Sequence, residues 1–201
     1  MRATPILLTV CLLAAAVPAA AAELPFTLPV PEGWRTETIP FPLGFAPSLP
    51  YTGLEELRFA PGMFVPGAVD FWTYAFCWWV PEGTPLDSRL LEQDLQVYFA
   101  GLSAAVAEAE HFEAERPHYG AELLPVRTAV GEPQRWEGKV ETFDAFASRG
   151  QVILNAVIEA VPCPDAGMMA VLFRLSPQPA GHPVWKTLAQ LRAGFSCLPA
   201  D

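Results

Sequence analysis

The sequence predicts an α+β fold: an antiparallel twisted sheet of about six or seven strands packed with two main helices. Three observations predict it. Short segments rich in β-branched and aromatic residues recur along the chain. Two stretches switch to helical spacing. Turn residues, among the 22 prolines and 14 glycines of the 201-residue chain, separate the segments. The helices stand apart in sequence, so strands and helices are expected to form packed layers and not alternating βαβ units.

The chain opens with Met1-Arg2, an apolar run from Ile6 to Val17, and the small residues Ala19 to Ala22. This is the three-part pattern of a secretory signal peptide, and cleavage is expected after Ala22. Removal of 22 residues from 201 leaves 179, organised as a single α+β domain over residues 23–201. Cys11 is not a lipidation site, because Val10 precedes it where a small residue is needed. No later segment is long enough to span a bilayer, so no integral membrane segment is expected after cleavage. A periplasmic or secreted location follows.

The elements follow in order. Residues 24–34 are proline-rich. Arg35 to Ile39 reads as a strand closed by Pro40, and residues 40–50 form a loop. Leu54 to Phe59 is a second strand. Phe71 to Val80, FWTYAFCWWV, is the strongest candidate because aromatics favour strands. Thr84-Pro85-Leu86-Asp87 resembles a helix start, with Thr84 as the cap. Leu91, Leu95, Tyr98, Leu102 and Val106 then form one apolar stripe, for a helix over about 85–109. Residues 122–130 are a weak strand candidate. Arg135 to Phe146, Gln151 to Val161 and Met168 to Leu175 are strong ones, joined by short links as a meander. Pro183 to Phe195 closes the chain as a second amphipathic helix, with Val184, Leu188, Leu191 and Phe195 on one side.

This order of strands, long helix, meander and terminal helix, with the entry Leu28-Pro29-Val30-Pro31-Glu32-Gly33-Trp34, resembles the PsbP-like fold. The chain is also similar to uncharacterised exported bacterial proteins. The PsbP-like resemblance implies a sandwich used by assembly factors and accessory subunits, and it transfers no residue roles.

The leader removes Arg2, leaving 11 basic against 22 acidic residues. That balance excludes a nucleic-acid backbone or an anionic membrane surface as the main partner. Three cysteines remain. Cys77 lies among bulky apolar residues, whereas Cys163 in a proline turn and Cys197 after the last helix are the expected disulfide.

No catalytic residue is assigned. There is no G-x-S-x-G elbow, and His111, His118 and His182 adjoin no nucleophile signature. The acidic stretch Glu108 to His118 matches no ligand spacing, so no metal and no cofactor is assigned. Two features could line a binding site. In the aromatic strand, Trp72, Tyr74, Phe76 and Trp78 alternate with Phe71, Thr73, Ala75, Cys77 and Trp79. An exposed row of such rings would bind sugars or apolar groups, whereas a covered row would be core. Pro81 and Gly83 end the strand, so Trp78 and Trp79 are expected near the sheet margin, where cover is thinnest.

The second feature is the 135–161 hairpin. A turn centred on Ser148-Arg149 sets Thr142 opposite Asn155 and Asp144 opposite Ile153. Asp144 and Asn155 then share a face with Trp136, and either line a pocket or form a buried polar pair. The ligand-binding candidates are therefore Trp72, Tyr74, Trp78, Trp79, Asp144 and Asn155. The expected function is an exported, non-enzymatic binding or accessory domain for an envelope protein or a small apolar or sugar-like ligand. The alternatives are a cell-envelope hydrolase using carboxylates and a purely structural accessory subunit.

Overall fold

A computed structural model describes residues 24–114 and 117–199. The expected leader lies outside them. The fold is α+β. Seven antiparallel strands form the main sheet in the order β2-β3-β4-β8-β7-β6-β5. They are β2 (Arg35–Pro40), β3 (Leu54–Phe59), β4 (Tyr74–Pro81), β5 (Gly120–Val126), β6 (Gln134–Asp144), β7 (Gly150–Cys163) and β8 (Met168–Ser176). A two-residue β1 (Phe26–Thr27) pairs with β9 (Ser196–Cys197) as a separate ribbon. The helices are α1 (Ser88–Ala109) and α2 (Val184–Ala193). Helix α1 carries the chain from central β4 to the far edge of the sheet. The β5–β8 meander then returns until β8 pairs with β4.

Both faces of the sheet are covered at its centre, over β4 and β8. On one face Tyr74, Phe76 and Trp78 of β4 pack with Leu91, Leu95, Tyr98 and Phe99 of α1. The Phe76 ring stacks on Phe173 at 4.3 Å and on Tyr98 at 5.4 Å. On the other face Leu188 and Leu191 of α2 cover Ala75, and the β1/β9 ribbon covers Cys77 and Trp79. Cys163 and Cys197 are paired, with Cα atoms 5.6 Å apart, so the ribbon is fastened to the end of β7. Cys77 is enclosed, and burial pushes its thiol well above the usual range. Among the described residues no helix is long and apolar enough to cross a membrane.

The structure moves several boundaries. Helix α1 starts at Ser88, because the Asp87 carboxylate accepts the Leu90 N–H and acts as the cap; the Thr84 hydroxyl instead donates to the Pro81 carbonyl. The buried stripe of α1 turns toward Phe99 and Ser103, leaving Leu102 half-buried. The aromatic strand begins at Tyr74, since Trp72 takes a left-handed backbone (φ 51°) in the preceding turn.

The register of the β6–β7 hairpin also differs from the expectation. Thr142 lies opposite Val152, Asp144 opposite Gly150, and Asn155 opposite Lys139. The cause is Asp144, whose carboxylate accepts the N–H groups of Phe146, Ala147 and Ser148 and so builds the loop at 145–149. The pairing is displaced by an odd number of residues, which puts Asn155 on the opposite face from Asp144.

Candidate functional site

Helix α1 crosses the β5–β6 end of the sheet, so the β2–β3 end needs other cover. Two loops supply it: residues 41–53 and residues 60–73. Between these loops, α1 and the sheet lies a cavity of about 620 Å³. That is within the roughly 300–1,000 Å³ of typical small-ligand sites. Its base is Trp72, Tyr74 and Tyr98, all nearly enclosed. Phe45, Phe59, Met63, Phe64, Leu102 and Phe146 form the walls. Arg35, Thr36 and Glu37 of β2 form the polar rim, with Ile39 beside them.

Each wall has a local cause. Alternation along β3 turns Leu57 and Phe59 toward α1, and Phe59 meets Phe64 at 5.8 Å. The Asp144-built loop carries Phe146 out to Phe64, with ring centres 5.0 Å apart. Phe45 packs edge-on against Tyr98 at 5.1 Å. The loop comes this close because α1 has glycine at position 101: a Cβ there would sit 2.0 Å from the Phe45 carbonyl oxygen. At the rim the Arg35 guanidinium lies 5.0 Å over the Phe64 ring.

Unusual electrostatics lie behind this wall. Glu55 is fully buried on the same sheet face as Leu57 and Phe59, yet is not part of the lining. The Trp78 indole N–H donates to its Oε1 at 3.0 Å, and its Oε2 has no hydrogen-bond partner. Burial pushes the Glu55 carboxyl up to about 7. The Trp78 and Tyr98 side chains oppose that rise, while the Glu37 charge adds to it. The buried Tyr74 hydroxyl and Trp72 Nε1 also have no partner. Burial and the Glu55 charge raise the Tyr74 phenol well above its usual value. The cavity floor is thus aromatic, and two of its residues, Trp72 and Tyr74, carry polar atoms without partners.

Comparison with family models, with curated proteins and with solved structures finds no match to this chain.

Of the residues singled out from sequence, Trp72 and Tyr74 line the cavity. Trp78 and Trp79 do not; both are enclosed. The margin, where the sequence predicts the thinnest cover, is closed on one side by Tyr51, 5.2 Å from Trp78, and on the other by Phe26, 5.0 Å from Trp79. Asp144 holds the turn behind Phe146. Asn155 is elsewhere, donating to the Gln178 carbonyl at 3.0 Å. The walls from α1 and from the loops are not among those candidates. One signal was present: in LEELRF, period-two alternation places Glu55 among Leu57 and Phe59, an acid on an apolar face.

Proposed function

We propose that this protein is an exported, non-enzymatic binding domain that takes the apolar part of a ligand into the cavity between α1 and strands β2–β4. The carrying observation is the cavity's lining: seven of its fourteen residues are aromatic. Its charged groups, Arg35 and Glu37, are confined to the rim on β2. Such walls favour an apolar or aromatic group over a sugar, which needs hydrogen-bond partners along its ring edges. Glu37 is the one carboxylate in the lining, so a paired-carboxylate hydrolase has no second acid there. The leader pattern and the disulfide support export.

The test uses N-phenylnaphthylamine, a neutral aromatic probe whose emission rises in apolar surroundings. Saturable binding to one site per chain is expected. Leu102→Trp, which fills the cavity from α1, should weaken that binding by about tenfold or more while leaving the melting temperature close to wild type. No saturable binding, or equal binding by the filled variant, would contradict the reading.

A further inference from the structure

The cavity opens beside an unpaired sheet edge. Among the described residues, strand β2 is terminal in the sheet and pairs only with β3. The Phe41 N–H donates to the Gly53 carbonyl, one step beyond the β2–β3 ladder and in the same register. Antiparallel bonding alternates, so Arg35, Glu37 and Ile39 exchange hydrogen bonds with β3. The backbone groups of Thr36 and Thr38 therefore point outward. The side chains of Arg35, Glu37 and Ile39 share the cavity face. Thr36 belongs to the other face yet also borders the cavity, which thus reaches the free edge. The opposite edge, β5, has Pro125 within it and no residue in this cavity.

Resting on the binding function proposed above, we infer that the ligand is an extended peptide segment that adds to β2 as an antiparallel strand and inserts one aromatic side chain into the cavity. Main-chain bonds to Thr36 and Thr38 supply the pairing, and the cavity supplies selectivity. Register then defines the segment. The residue opposite Glu37 faces the cavity and is the aromatic anchor. The residue two places after it lies opposite Arg35, whose guanidinium has no ion pair among the described residues, and is acidic. The residue two places before the anchor lies opposite half-buried Ile39 and is apolar. The segment reads apolar, any, aromatic, any, acidic.

The probe is acetyl-Thr-Val-Thr-Phe-Thr-Glu-Thr-amide, titrated by calorimetry. Replacing its phenylalanine with alanine should weaken binding about tenfold or more. N-methylation of the two threonines flanking the phenylalanine blocks bonds to β2 and should have a similar effect. N-methylation of the phenylalanine itself, whose N–H points away, should have little. In the protein, Thr38→Pro removes an outward donor that β3 does not use. It should weaken the peptide and spare N-phenylnaphthylamine. If the naphthylamine binds and the peptide does not, or if flanking N-methylation has no effect, the peptide assignment is wrong and the cavity reading stands. If neither ligand binds, both fall. A dimer in sedimentation that dissociates in Thr38→Pro would assign the edge to a second copy of the chain and overturn the peptide.

Discussion

Glu55 is a carboxylic acid held where a carboxylate is costly. The groups that act on its charge are Trp78 and Tyr74 on β4, Tyr98 on α1 and, farther out, Glu37 on β2. None carries a positive charge. Between the ordinary carboxyl range and about 7, the folded protein keeps a proton on Glu55 that the unfolded chain has released. Stability from this group is therefore greatest at low pH, falls as pH rises through that window, and is level above it. The shift corresponds to about 3 kcal/mol at most. Glu55→Gln removes the titration. Its melting temperature should gain on wild type as pH rises from about 4.5 to 7. A difference between the two proteins that does not change with pH would show that Glu55 has no raised pKa.

The first and last strands of the described domain are too short to be stable alone. The β1/β9 ribbon has two residues per strand and depends on Phe26 and Phe195 packing over Trp79. Arg58 adds a second fastening by donating to the Leu28 and Pro29 carbonyls at 2.8 and 3.0 Å. The disulfide closes a 34-residue loop that includes β8 and α2. Its reduction should lower unfolding free energy by roughly 3–4 kcal/mol in denaturant titrations. An unchanged midpoint after reduction, verified by alkylation and mass, would contradict this.

The longer elements were legible in the sequence, because their burial patterns are strong: FWTYAFCWWV for β4 and the Leu91–Tyr98 stripe for α1. Their ends were not, since local hydrogen bonds decide them. Asp87 took the cap expected of Thr84, and Asp144 set a loop that displaced the β6–β7 register. The β1/β9 ribbon joins residues about 170 positions apart, and no local pattern announces such a pairing.

For the whole molecule, the position of the cavity follows from topology. Helix α1 must reach the far edge to deliver β5, so it leaves the β2–β3 end to two proline-containing loops. Aromatic side chains from those loops, from α1 and from the β6–β7 turn meet there without filling the space. Trp72 and Tyr74 were readable as binding candidates because they belong to the dense aromatic segment. Phe45, Phe64 and Phe146 were not, because each is a lone ring in a loop whose direction depends on the finished fold. Trp78 and Trp79 misled for the converse reason: the cover over them comes from Tyr51 and Phe26, distant in sequence.

The binding claim is tested most directly by nuclear magnetic resonance of the side chains. The protein is titrated with N-phenylnaphthylamine while its tryptophan indole and aromatic and methyl side-chain signals are followed. The account predicts that Trp72, Phe45, Leu102 and Phe146 shift together to saturation, while the enclosed Trp79 on the other face stays unmoved. Shifts centred on Trp79, or scattered over the surface without saturation, would contradict it.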